Sequence, residues 1–380
     1  MTLTSRLRLS TWYAVGVGSI VAIPFLTVVL VDSGLSQSAA AAAMLVLPFG
    51  QLIGGPLWSW VADRTASPHT VLRLTTAACA LAGLTWLMNP SPTILVLTVS
   101  LYALARGPVH PLADAITLAS LGADRRSYGG IRAVGSMAYV AAVVTTGALR
   151  DTWPRASLIV GGVLLVATAV ATWWLPRPAI QVSPPDWLRL RGLLLHPVLA
   201  PLMGVCLLHG ITITTYDSLF ALHIANHELP SWVAGAGFGV GVAVEVVMLL
   251  VGRRLLDLMG PGRLLLVGVA AGIPRWLITG MTTSVPLLVG TQGMHGLTFG
   301  AFWVAGVALF SERAPEGLQG STQALLPAAT FGAGYLASMT LASMTLQRFD
   351  TTVLFTSMAA ISTLATAGVL LLLRSRDEAV

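Results

Sequence analysis

Six ionisable side chains, Arg106, Asp114, Arg132, Asp217, Glu245 and Arg275, stand within long apolar runs or at their inner ends. A charge at the centre of a membrane helix costs about 2.5 to 3.5 kcal/mol on insertion scales, so all six facing lipid would cost on the order of 15 to 20 kcal/mol. They must instead face a water-filled cavity or one another, and three acids against three bases permit neutral pairing. Arg106, His110 and Asp114 recur at four-residue spacing, which places them near one face of a helix. Pro108 and Pro111 disturb that helix and free carbonyls that can face the cavity. Arg132 opens the next helix within reach of Asp114. A buried pair of this kind either fixes helix register or offers a handle to a polar solute.

Further along, Asp217, Glu245, Arg275 and His295 fall on four successive helices. Burial disfavours an ionised carboxylate and a neighbouring Arg favours it, so an acid that gains and loses an Arg partner can bind and release a proton. Glu245 with Arg275 is the favoured pair and Asp217 the next candidate; the competing reading is a static ion pair. Tyr139, Tyr216, Phe299, Phe302 and Trp303 could stack on the apolar face of a sugar or on a nucleobase, although aromatic residues at helical spacing also suit plain packing.

The elements that carry these residues follow from composition. Over the 380 residues, 55% are hydrophobic and only 9% charged. The charges are confined to short clusters, and the stretches between them are long enough to cross a hydrocarbon core of about 30 Å. Twelve spans are expected, at 9 to 31, 39 to 62, 70 to 88, 92 to 121, 129 to 149, 156 to 176, 198 to 224, 232 to 252, 262 to 281, 284 to 310, 321 to 346 and 351 to 373. They must be helical, because backbone groups in hydrocarbon need internal partners and no strand-like alternation is present.

Charge sets the topology. With the N-terminus cytoplasmic, Arg6, Arg8, Arg64, Arg73, Arg125, Arg126, Arg177, Arg189, Arg191, Arg253, Arg254, Arg263, Arg313, Arg374 and Arg376 share one side, and only Arg150, Arg155 and Arg348 the other. This follows the positive-inside rule and places both termini in the cytoplasm, as an even span count requires. The +6 net charge is therefore a matter of topology: it is spread over short loops and forms no patch for a nucleic acid.

A linker at 177–197 divides the chain into six-helix bundles at 1–176 and 198–380, a division typical of transporters. A repeated loop supports it. SWVADRTASPHTVLR follows the second span and GRRLLDLMGPGRLLL the eighth, each with an acid at a helix end before an Arg. Asp63, Arg64 and Arg73, with Asp257 and Arg263, are expected to form a cytoplasmic gate in which carboxylates hold nearby Arg or helix-end amides. The bland alternative is a juxtamembrane charge cluster.

These loops resemble the signature of the major facilitator superfamily, although Ser59 and Trp60 depart from its usual G-x-L-A-D-R form. GPLWSWVADR, HPLADAITLASL, YGGIRAVGSMAYV, AAGIPRWLITG and MHGLTFGAFW narrow the resemblance to the branch of lactose permease, nucleoside permeases and phenylpropionate-type proton symporters. The resemblance implies an all-α fold of twelve transmembrane helices in two bundles. By position it implies a solute-binding role for Asp114 and Arg132, a proton-coupling role for Arg275 and His295, and an acid of the seventh helix at Asp217. Thr298 and Gly332 stand where lactose permease carries a Glu and a Lys, so its galactoside specificity and proton route do not transfer.

The resulting expectation is a monomeric, multi-pass protein of the cell (inner) membrane that moves a small polar organic solute of sugar, nucleoside or aromatic acid type by alternating access, with proton symport. Arg106, His110, Asp114, Arg132, Tyr216, Phe299 and Trp303 are the candidate solute contacts; Asp217, Glu245, Arg275 and His295 are the candidate proton-coupling residues. Drug or metabolite efflux by proton antiport is the first alternative, weakened because IRAVGSMAYVAAVVTTGAL lacks the Gly-Pro motif of many such antiporters. A non-transporting membrane sensor is the second. No cofactor, metal or enzymatic nucleophile is suggested by the residue spacings, and no nucleotide-binding motif points to ATP. Cys79 and Cys206 lie in apolar runs and imply no disulfide framework.

Overall fold

The computed structural model describes residues 3–65, 67–122, 124, 127–178, 192–316 and 318–377, with the backbone alone at 56, 59, 60, 62, 63, 65 and 375–377. Among the described residues every regular element is helical. We number the spans α1 (Leu3–Asp32), α2 (37–65), α3 (Pro68–Leu87), α4 (Pro92–Leu121), α5 (Tyr128–Leu149), α6 (Ala156–Thr172), α7 (Leu199–Asn226), α8 (232–259), α9 (261–281), α10 (Val285–Glu312), α11 (Gln319–Thr345) and α12 (Thr351–Asp377).

Length and hydropathy alone mark ten membrane-crossing helices, one of them the 50-residue stretch Trp232–Met281. That stretch divides at Gly260, whose φ of 72° and ψ of 159° no helix accommodates, and Pro261 then starts the next helix with a φ already suited to it. With this division and the shorter apolar helix Ala156–Thr172, the spans number twelve.

Several spans are interrupted where the sequence disfavours regular helix. In α4 a turn at Gly107 and Pro108 separates Pro92–Arg106 from Val109–Leu121, since Pro108 lacks the N–H that would continue the ladder. Single π-helical stretches occur in α10 at Gly296–Ala301 and in α11 at Ala328–Ala333. Such insertions leave carbonyls without the usual partner and are frequent at functional sites.

By internal packing the chain forms two compact units, Met1–Ser36 with Ala43–Pro184, and Gln37–Ala42 with Pro185–Val380. Of the linker expected at 177–197, residues 179–191 lie outside the described ones. In the first unit α3 packs on α6, α1 on α5 and α2 on α4. Lipid tails are as apolar as Leu, so close van der Waals approach has to hold helices together here. Gly83 and Gly162 provide it at the α3–α6 crossing, where a Cβ on either would lie 2.9 or 2.6 Å from the carbonyl oxygen of the other. Polar links add specificity: the buried Trp12 Nε1 donates to Thr172 Oγ1 at 2.9 Å, and Arg150 pairs with the partly exposed Asp32. In the second unit α7 packs on α11 and α12, and α9 on α12, around a core that includes Phe302, Phe310 and Leu326.

Candidate functional site

In the second unit the candidate site is built around Arg275 of α9, which is fully buried. A guanidinium is always charged and can only donate hydrogen bonds, so in the interior it needs acceptors in several directions. Gln292 Oε1 accepts from Nε at 3.3 Å and from Nη2 at 2.9 Å. Nη1 donates to Thr298 Oγ1 at 2.6 Å and to His295 Nδ1 at 3.2 Å. Two aromatic rings flank the guanidinium: the centroids of Tyr216 and Trp276 each lie 4.3 Å from its central carbon and 5.9 Å from each other. Cation–π contact of this kind partly replaces the lost hydration.

These acceptors share one face of α10. Gln292, His295 and Thr298 follow at three-residue intervals, so each succeeds the last around the same side of the helix. The Gln292 amide is oriented by its own donors, Nε2 reaching Leu288 O at 2.9 Å and Thr279 Oγ1 at 3.3 Å, which turns Oε1 toward Arg275. The π-helical stretch carries Thr298, and its carbonyl oxygen is met by His209 Nε2 of α7 at 2.6 Å.

His295 has its tautomer set by this geometry. Because Arg275 donates to Nδ1, the ring proton belongs on Nε2, which lies 3.4 Å from Glu245 Oε2. Glu245 and Arg275, expected as a direct pair, are thus joined through the imidazole rather than to each other. Asp217 of α7 lies within electrostatic reach of both Arg275 and Glu245. His295 also stacks on Phe299, with centroids 5.3 Å apart and planes 13° apart, and Phe299 lies parallel to Trp303 at 5.9 Å. Phe331 of α11 lies against both rings. Phe302 points elsewhere, buried against His209, and is a packing residue.

The first unit gathers a second set of charges. Asp114 and Arg132, expected to meet, do not form an ion pair: the Asp114 carboxylate accepts from the Tyr13 hydroxyl, while Arg132 lies 5.6 Å over the Tyr13 ring. Tyr13 of α1 thus intervenes between them. Arg106 donates through Nη1 to the Tyr102 hydroxyl one turn earlier. His110 lies edge-on to Trp12 at 5.9 Å, and with Arg106 it lines a cavity only large enough for a water-sized group. The turn at Gly107 and Pro108 puts Arg106 on one helical segment and His110 and Asp114 on the next.

At the expected gate, the Asp63 side chain lies outside the described ones and Arg64 is exposed. Arg73 lies 4.3 Å over the Trp173 ring, and Asp257 and Arg263 are exposed and not paired with each other. Sequence reasoning did not single out Tyr13, Trp276, Gln292 or Phe331. Gln292 had one signal, its place one turn before His295.

Among the described residues the regular structure is all-helical, with twelve apolar spans that carry charged side chains within them, the architecture of a multi-pass membrane protein. The chain belongs to the MFS_1 like family, whose model matches residues 7–357. It is 28% identical to a maltose permease of Geobacillus stearothermophilus over 364 residues, covering 93% of this chain and 91% of the relative. It is 26% identical to a probable 3-phenylpropionic acid transporter of Escherichia coli (strain K12), covering 84% of each chain. Its fold matches the crystal structure of the nucleoside transporter NupG with a TM-score of 0.83 at 16% identity, covering 98% of this chain and 99% of that one.

Proposed function

We propose that this chain is a secondary active transporter of the cell (inner) membrane, both termini cytoplasmic, that carries a small polar organic solute by alternating access in symport with protons. The two bonds of the His295 ring carry the coupling argument. While Arg275 donates to Nδ1, that nitrogen cannot take a proton, and the ring stays neutral with its Nε2–H toward Glu245. If the guanidinium withdraws, Nδ1 is freed, and a proton arriving there gives an imidazolium that Glu245 stabilises. Proton uptake is thereby tied to movement of α9 against α10, which is the linkage a symporter needs.

Asp217 supplies a second carboxylate for the same exchange. Thr298 leaves no acid one turn beyond His295, so Glu245 is the natural proton partner. Asp114, Arg132, Arg106 and His110, with Tyr216, Phe299 and Trp303, are the proposed solute contacts. Asp63, Arg64, Arg73, Asp257 and Arg263 are the proposed cytoplasmic gate, and the protein acts as a monomer. The maltose permease, the probable 3-phenylpropionic acid transporter and the nucleoside transporter support sugars, aromatic acids and nucleosides as the first solute classes to try.

The test uses proteoliposomes that enclose a pH indicator, challenged with maltose, uridine and 3-phenylpropionate. Internal acidification that depends on one solute and on protein is the expected result. Solute accumulation with no proton movement contradicts the symport reading.

A further inference from the structure

The charges of the first unit do not balance. Arg106 and Arg132 stand with one acid, Asp114, whose carboxylate is engaged by the Tyr13 hydroxyl and approached by Tyr128. Neither guanidinium is spent on it: Arg106 turns to the Tyr102 hydroxyl and Arg132 to the face of the Tyr13 ring. Arg106 and His110 line one cavity, and Trp12, 5.9 Å from His110 and 5.3 Å from Tyr13, links it to the ring over which Arg132 stands, so the three groups form one neighbourhood.

That neighbourhood also contains unmet hydrogen-bonding capacity. Arg132 Nη1 and His110 Nδ1 are buried without a hydrogen-bond partner. A guanidinium nitrogen can only donate, so what Arg132 lacks is an acceptor. A neutral hydroxyl could also accept from that donor, but a surplus positive charge in a low-dielectric setting is met more fully by an oxyanion, which accepts and neutralises at once.

We propose that the solute carries an acidic group, a carboxylate or comparable organic oxyanion, and that Arg132 receives it, with Arg106 adding to the positive charge behind it. This rests on the transport reading above and narrows its solute class. Asp114 then acts as a positioning residue: it holds Tyr13, whose ring supports the Arg132 guanidinium and keeps it from collapsing onto the acid.

The test is thermal unfolding of the purified full chain with matched probes: 3-phenylpropionate against 3-phenylpropanol, gluconate against glucose, and maltose, uridine and inorganic phosphate alone. At least one organic acid should raise the melting temperature while its neutral partner does not, and phosphate alone should have no effect. Arg132→Gln should weaken the acid's apparent affinity about tenfold or more, and Arg132→Lys should restore part of it. Should Arg132→Gln fail to fold, Arg106→Gln serves as the second variant, with a smaller loss expected. The proposal is overturned if no acid shifts the melting temperature, if neutral partners shift it equally, or if Arg132→Gln keeps the full effect. An acid that binds through Arg132 but never crosses a membrane would sink the transport reading alone. A neutral sugar driven uphill would sink this proposal alone.

Discussion

Gln292 holds Arg275 through a single oxygen, its Oε1 accepting from both Nε and Nη2 of the guanidinium. The amide thereby determines where the remaining Arg275 nitrogen points, toward His295 and Thr298. Gln292→Ala leaves two donors of a buried cation unmet, and its cost should reach about 1 to 3 kcal/mol or more. Chemical or thermal unfolding of the purified variant reads this, and Gln292→Glu, which keeps the acceptor, should retain more stability than the alanine variant. Equal stability of Gln292→Ala and wild type would remove Gln292 from the account.

The His295 tautomer is itself observable. With the ring nitrogens labelled, magnetic resonance should find a neutral imidazole whose proton sits on Nε2, because Nδ1 accepts from Arg275. Arg275→Gln should lose that single-tautomer signature. A proton on Nδ1 in the wild-type protein contradicts the arrangement.

Gly260 has a backbone conformation, φ 72° and ψ 159°, that is essentially confined to glycine. Gly260→Ala should therefore destabilise by roughly 1 to 3 kcal/mol, although an added Cβ would meet nothing within 4 Å. A fall in melting temperature without any steric clash separates backbone strain from packing.

Gly162 presents the opposite case, since a Cβ there would come within 2.6 Å of the Gly83 carbonyl oxygen. Gly162→Leu should force α3 and α6 apart and cost about 1 to 3 kcal/mol, measured as a lower unfolding temperature in detergent. An unchanged temperature would show that this crossing is not tightly packed in solution.

Much of this architecture was legible because lipid imposes one simple rule. A backbone in hydrocarbon must be helical, so apolar length located the spans, and Pro108 marked one interruption; the eighth span, expected to end at 252, runs on to 259 because helix continues past the lipid-facing residues until the break at Gly260. The same rule exposed Arg106, Asp114, Arg132, Asp217, Glu245 and Arg275, whose charges are costly unless partnered. It was silent on neutral intermediaries. Tyr13, between Asp114 and Arg132, and Gln292, beside Arg275, carry little insertion penalty and leave no mark on a hydropathy pattern. Pairing opposite charges directly therefore passed over Tyr13 in one case, and in the other named His295 among the proton-coupling residues without placing it between Glu245 and Arg275. Thr298, noticed as a missing acid, became intelligible only as the hydroxyl that accepts from Arg275.

The central claim is that the coupling proton is taken up at His295 and held there by the Glu245 carboxylate. Its most direct test compares wild type and Glu245→Gln in proteoliposomes, using an acid or sugar first shown to be carried. The account predicts that the variant loses uphill accumulation driven by a pH gradient yet keeps exchange of labelled for unlabelled solute at equal pH. Undiminished uphill accumulation by Glu245→Gln would contradict it.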